Sequence, residues 1–114
     1  MIHFHDIIVR LRPTLIENRG GDLVEDWTAP AEHTIVGVSV QPAQQAEATD
    51  VTRTATTTGW TVQSQPGVDL DVVASDRIRY DGMTCRVVGE VARWTDPLTG
   101  VVHHVDFTIE RRAG

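Results

Sequence analysis

Histidines near the two ends of the sequence are the residues best suited to bind a metal ion. His3 and His5 lie two positions apart before the first predicted strand, and His103 and His104 open the last one. Zinc accepts sets of three or four imidazoles, and such a set would form if the first and last strands paired. However, adjacent strand residues such as His103 and His104 point to opposite faces. We therefore expect no metal site, and a small metal-binding β-barrel is kept only as an alternative.

Acidic residues form the second group with catalytic potential. Asp69 and Asp71 flank Leu70, and Asp76 follows them. A catalytic carboxyl pair needs an enclosing pocket and a raised pKa, and this pattern provides neither. These aspartates are instead typical of turn capping before a strand. The sequence also contains no phosphate-binding glycine loop, nucleophile elbow or cysteine pair, so we expect no enzyme, no catalytic residue and no cofactor.

The elements that position these side chains are predicted to be strands, and the clearest two flank Asp81-Gly82. This dipeptide tolerates positive φ angles and suits a two-residue hairpin turn. Arg77 and Arg79 lie on the polar face of the first strand. The lone cysteine lies on the apolar face and is expected to be a buried, reduced thiol. The face expected to be buried comprises Ile78, Tyr80, Met83, Cys85 and Val87.

Alternating apolar and polar residues predict four further strands. These strands cover 7–12, ending at Pro13, then 35–40, 60–65 and 105–110. A turn is expected at 18–22, followed by a short edge piece in which Trp27 is a lid over one end of the core. No helical period is present. The sequence predicts an all-β fold, a small single-domain β-barrel or sandwich of about six strands over residues 1–114.

One segment, 41–59, interrupts the strand pattern. It is rich in Gln, Ala and Thr, and Val51 is its one large apolar residue. Such a composition cannot bury enough apolar surface to offset the entropy of ordering. Loops longer than roughly 12 to 15 residues are uncommon in compact domains unless they are functional or disordered. We therefore expect a long, flexible, polar inter-strand loop that projects from the body.

The composition limits the classes of partner. The net charge is −6, and all ten basic residues are arginines spread along the chain. An acidic surface repels phosphate backbones, which disfavours a dedicated nucleic-acid binder. No apolar stretch approaches the roughly 20 residues that span a bilayer, and the N-terminus lacks the pattern of a signal peptide. We expect a soluble protein that is made inside a cell and does not bind membranes.

Short motifs follow one another in a characteristic order over nearly the whole chain. They are Arg10-Leu11-Arg12-Pro13, Asp26-Trp27-x-x-Pro30, Val36-x-Val38-x-Val40-Gln41-Pro42, Trp60, Pro66-Gly67-Val68-Asp69-Leu70, Asp76-Arg77-Ile78-x-Tyr80-x-Gly82, Val87-x-Gly89-Glu90, Trp94, His103-His104-Val105 and Arg111-Arg112. In order and spacing, this set resembles the head-to-tail stopper proteins of long-tailed phages, also called head-closure or head-tail joining proteins.

The resemblance implies a function and a set of partners. Members of this family are small β-barrels that form a ring, usually a dodecamer, below the portal and adaptor rings and above the tail terminator or tail tube. The protein would then lie in the virion neck, after assembly in the host cytoplasm, around packaged double-stranded DNA that it does not read by sequence. A tail-completion or tail-terminator protein is the alternative within the same morphogenetic set.

The resemblance also assigns roles to particular residues. In some relatives, a long loop between two barrel strands enters the channel and helps to retain DNA until ejection. The matching channel-loop candidates here are Gln44, Gln45, Glu47, Thr49, Asp50 and Arg53. The barrel core and hairpin candidates are Ile78, Tyr80, Gly82 and Val87.

Overall fold

The computed structural model describes residues 3–43 and 59–111, which form six β-strands. In chain order they are β1 (Asp6–Glu17), β2 (Leu23–Pro42), β3 (Gly59–Gln63), β4 (Arg77–Tyr80), β5 (Met83–Thr95) and β6 (Val102–Arg111). Across these described residues, no helix is long and apolar enough to cross a membrane. The predicted all-β class and the number of strands are confirmed.

The six strands pair antiparallel and close into one barrel. Their order around the barrel is β1-β2-β3-β6-β5-β4, and β4 pairs with β1 to complete the ring. Part of the core comes from outside the strands, because Leu70 and Val72 lie in the irregular segment between β3 and β4. The buried core cluster contains Ile8, Ile35, Val38, Val40, Val62, Leu70, Val72, Ile78, Cys85, Val87, Val105, Phe107 and Ile109.

The β4–β5 hairpin has the predicted turn and the predicted faces. Tyr80 pairs with Met83, and the two residues between them have φ angles of 50° (Asp81) and 76° (Gly82). Positive φ at both central positions is the geometry that matches the right-handed twist of the flanking strands. The side chains of Ile78 and Cys85, which are register partners, are fully buried.

The first strand is longer than predicted, because it does not end at Pro13. The ladder between β1 and β2 shifts register between Arg12 and Thr14, so Pro13 lies at an irregularity. Proline has no N–H to donate and is tolerated in a sheet at such positions. β1 therefore continues to Glu17 and forms a long hairpin with β2, whose turn at 18–22 is as predicted.

Bulges also change which side chains point into the barrel. Gly37 has a φ of 73°, and the register shifts beside it between Asp6 and Ile7. A bulge breaks the simple alternation of a strand. As a result Ile35 and Val38 are buried, whereas Val36 and its register partner Ile7 are exposed. The regular alternation that was predicted for residues 35–40 is wrong at this point.

Trp27 is not a lid over the core, as the sequence had suggested. Between Arg12, which pairs with Ala31, and Thr14, which pairs with Asp26, β2 has extra residues that include Trp27. Its ring lies over the guanidinium of Arg77, with Cζ 3.7 Å from the ring centroid. Arg77 is on the exterior of β4, so Trp27 covers the outer wall of the barrel. A cation–π contact of this kind explains the placement without any burial in the core.

Two hairpins extend beyond the closed barrel. β4 pairs with β1 only at Val9–Leu11. Residues 14–17 of β1 therefore pair only with residues 23–26 of β2. The far part of the β5–β6 hairpin extends in a similar way after the register shift that follows Val88. The radius of gyration is 16.4 Å, whereas a compact domain of about this length has roughly 13 Å.

Candidate functional site

A charged cluster joins β1 to the segment between β3 and β4. Arg12 donates to Asp76 from Nε at 2.9 Å and from Nη2 at 2.8 Å. The Asp76 side chain is fully buried and also accepts a hydrogen bond from the Val73 amide at 2.9 Å. This bidentate geometry fixes both partners, because the planar guanidinium matches the carboxylate. The pair therefore holds the non-strand segment against the barrel.

Two further arginines hold the same segment. Arg10 Nη1 donates to the Asp71 carboxylate and to its carbonyl oxygen, both at 2.9 Å. Arg93, on β5, donates to the Leu70 and Val72 carbonyls at 2.9 Å and pairs with Asp69 at 3.3 Å. Each carboxylate of the segment thus faces an arginine. These residues lie outside the strands, before β4, and form an irregular cover that is held by side chains.

The electrostatics of this cluster favour the charged forms of Arg12 and Asp71. Hydrogen bonding to Asp76, and then to Asp71, raises the pKa of the Arg12 guanidinium above its ordinary value. The hydrogen bond and charge of Arg12 in turn lower the pKa of Asp71 from its ordinary 3.8. A general acid at neutral pH needs the opposite shift. The arrangement is suited to clamping the fold, and it gives Asp71 no means of donating a proton at neutral pH.

The root of the long loop lies on the rim between β2 and β3. Pro42 pairs with Trp60, and the Ala43 amide donates to the Gly59 carbonyl at 3.0 Å. The chain therefore leaves and re-enters the barrel at one point. The channel-loop candidates Gln44, Gln45, Glu47, Thr49, Asp50 and Arg53 lie outside the described residues.

Of the other predicted site residues, Tyr80 lies beside this root. Ile78 is fully buried and Val87 nearly so, while Tyr80 is partly buried against the core. The Tyr80 ring meets that of Trp60 edge-on, with centroids 6.0 Å apart. Burial, followed by the charges of Asp6 and Asp81, raises the pKa of the Tyr80 hydroxyl. The structure thus places an aromatic pair between the hairpin and the loop root.

The projecting end of the β1–β2 hairpin was not predicted from the sequence. This distal ribbon, residues 14–17 paired with 23–26, exposes 61% of Leu15, 47% of Ile16, 67% of Leu23 and 38% of Val24. Ile16 pairs directly with Val24 on one face, whereas Leu15 and Leu23 share the other face with Glu25 and Glu17. The apolar residues on both sides of the 18–22 turn indicated two paired strand ends in the sequence. They were not assigned to strands, because the first predicted strand was ended at Pro13.

The β5–β6 hairpin contains the histidines that could have bound a metal. Trp94 is the register partner of His104, and their rings stack with centroids 6.0 Å apart. The Nδ1 atoms of His103 and His104 are 2.8 Å apart, although adjacent strand residues were expected to diverge. β1 and β6 are not neighbours in the barrel, so His3 and His5 do not join them. Within 3–43 and 59–111, no three metal-ligating groups converge.

Comparison with family models and with curated protein sequences gives no match. Among solved structures, the chain is similar to protein SF1141 from Shigella flexneri 2a, whose solution structure is known. The TM-score is 0.61 at 18% sequence identity, and the alignment covers 99% of this chain and 96% of SF1141. At this level of identity the likeness concerns the fold alone. Two chains of nearly equal extent thus share this β architecture.

Proposed function

We propose that the protein is a ring-forming head-to-tail stopper, a structural subunit of a phage head-tail connector. In this role it extends the channel of the portal and adaptor rings, helps to retain packaged DNA and offers a surface on which the tail docks. The proposal starts from the ordered motifs of the sequence. The structural observation that carries it is the distal ribbon, because a subunit that assembles with others has a use for exposed apolar side chains.

The energetics of the distal ribbon support an assembling subunit. A two-stranded ribbon is marginal alone in water, and stability normally requires a third strand or a packed face. Here both faces carry large apolar side chains that stay 38% to 67% exposed. Exposed apolar surface of this kind typically marks a protein interface. A structural partner is therefore the simplest reason for the ribbon.

The charges of the body support a channel component. With a net charge of −6, the chain offers few free cations to phosphates. Among the described arginines, Arg10, Arg12 and Arg93 are engaged by aspartates or carbonyls of the 69–76 segment. DNA could thus pass along such a subunit without being retained by phosphate contacts. The loop rooted at Ala43 and Gly59 is the segment that the family resemblance assigns to DNA retention.

Deletion of the coding sequence from the phage genome that carries it tests this proposal. Without a stopper, DNA-filled heads and complete tails are expected to accumulate separately, and the heads lose DNA during purification. Complementation with the intact chain should restore joined particles. Normal virions in the deletion strain would contradict the proposal.

The same experiment separates the stopper from a tail-terminator role. Loss of a terminator would give tails of uncontrolled length, while heads stay closed. Electron microscopy of the separated heads and tails reads both properties from one sample. Abnormal tail length with stable heads would assign the chain to the tail, and not to the head-proximal ring.

A further inference from the structure

The β1–β2 hairpin carries two exposed apolar pairs, one on the distal ribbon and one on the barrel wall. On the distal ribbon, Ile16 pairs with Val24, and both are exposed. On the wall, Ile7 pairs with Val36, and these are 57% and 66% exposed. Each pair consists of direct cross-strand partners and therefore forms a single patch. Two such patches on one subunit are the minimum for a repeating contact.

The two patches occupy different positions along the same strands. Ile7 and Ile16 are nine positions apart in β1, which corresponds to roughly 30 Å of extended strand. A contact between different patches of successive copies is heterologous, and it generates rings or filaments. A contact of one patch with itself would instead stop at a dimer. The separation is thus suited to head-to-tail assembly.

Charge disfavours a ribbon-to-ribbon contact. Residues 14–26 carry four acids, Glu17, Asp22, Glu25 and Asp26, and one base, Arg19, so the net charge of this part of the hairpin is −3. Two ribbons packed together would bring like charges into contact. The barrel wall beside Ile7 and Val36 instead carries Arg79, which pairs in register with Val9 and forms an ion pair with Glu32, so that these two charges balance and add no like charge against the ribbon. The wall is therefore the better acceptor.

We propose that the Ile16–Val24 face of the distal ribbon packs on the Ile7–Val36 pair of the next copy of this chain. This inference rests on the proposed ring-forming function and names the surface through which the ring closes. The ribbon gains the packed face that it lacks in a lone subunit, and the wall patch loses its exposure to water. Each copy gives its ribbon to one neighbour and its wall to the other.

Engineered cysteines test this contact in the full-length protein. The native Cys85 is fully buried, so it adds no background to surface cross-linking. Ile16→Cys and Val36→Cys are both made at exposed positions, and the thermal midpoint of each variant checks that the barrel is retained. The variants are oxidised separately, as a mixture, and combined in one double variant. Products are separated on non-reducing gels and identified by mass spectrometry.

The expected result is specific to the head-to-tail geometry. The mixture of single variants gives the mixed dimer as its main adduct, and the double variant gives a ladder that extends to a closed ring. Ile16→Cys mixed with Val88→Cys is the matched control, because Val88 is an exposed apolar residue on β5. Its adduct yield should be much lower.

Three results would overturn the inference. Dimers of Ile16→Cys with itself would show a ribbon-to-ribbon contact, and equal yields with Val88→Cys would show random collision. An absence of adducts at high protein concentration would assign the ribbon to another protein. None of these results contradicts the connector role, which is decided by the separate deletion phenotype of heads and tails.

Discussion

Arg12→Ala best tests the ion pair between Arg12 and Asp76, through the loss of unfolding free energy that it causes. The fully buried Asp76 carboxylate accepts two hydrogen bonds from Arg12 and one from the Val73 amide. Removing one partner of a buried ion pair typically costs 3–5 kcal/mol, because the other charge stays buried without compensation. Arg12 is 35% exposed, and Asp76 keeps the Val73 amide. We therefore expect the lower end of that range, about 3 kcal/mol.

Asp76→Ala, which removes the other partner of the pair, should lower the free energy of unfolding by less than Arg12→Ala does. In Asp76→Ala, the guanidinium of Arg12 can still reach water and Asp71, so the loss is that of charge-assisted hydrogen bonds, about 2 kcal/mol. Arg86→Ala is the matched control. Arg86 and Glu110 are 3.1 Å apart with exposed side chains, and such surface pairs contribute at most about 1 kcal/mol. The expected order of cost is Arg12→Ala, then Asp76→Ala, then Arg86→Ala.

Urea unfolding followed by tryptophan fluorescence measures these differences. With a slope of about 1.5 kcal/mol per molar urea, a loss of about 3 kcal/mol lowers the midpoint by about 2 M. The control should lower it by less than about 0.7 M. If Arg12→Ala destabilises the protein no more than Arg86→Ala, the Arg12–Asp76 ion pair does not hold the fold as proposed. A cost for Asp76→Ala above that of Arg12→Ala would also contradict it.

Four other results are expected. Replacing residues 44–58 by a short turn should keep the fold and raise the free energy of unfolding by about 1 kcal/mol, measured by thermal unfolding, because closing a shorter loop costs less entropy. DNA leakage from tailless heads that carry this variant would support a role in DNA retention. Full retention of the DNA would count against that role. Tyr80→Ala should cost about 3 kcal/mol in urea, and Tyr80→Phe much less; equal losses would show that the ring contributes little. Burial raises the pKa of the Cys85 thiol, so a disulfide reagent should modify it only after unfolding, and rapid reaction of the native protein would contradict its burial. Because the pKa of Asp71 is lowered, its carboxylate stabilises the fold above pH 3.8, and this contribution is lost as the pH falls through the lowered pKa. Asp71→Asn should therefore make the melting temperature fall less steeply with decreasing pH. An unchanged dependence of the melting temperature on pH would contradict this prediction.

Local chemistry explains which parts of the fold were predictable. The β4–β5 hairpin depends on Asp81-Gly82 and on alternation within a few residues, and the structure follows both. The ends of β1 and β2 depend on bulges beside Pro13 and Gly37, which shift the register. A bulge turns an expected inward side chain outward, and simple alternation gives no sign of it. This is why Val36 is exposed.

The ion pair between Arg12 and Asp76 could not be predicted from the local sequence, for a different physical reason. Arg12 and Asp76 are separated by 64 positions, and only closure of the barrel brings them together. The three aspartates were recognisable as a group, but their arginine partners lie on β1 and β5. The distal ribbon, in contrast, was accessible, because apolar residues lie symmetrically around the 18–22 turn. A proline within the pattern led to the strand being ended too early.

The most direct test of the proposed connector role is a cryo-EM reconstruction of the head-tail neck of the phage that we propose encodes this chain. We expect a ring of copies between the adaptor and the tail, in which the barrels pack side by side and the distal ribbon of each copy lies on its neighbour. Copies located at the far end of the tail, or a neck that lacks the chain, would contradict it.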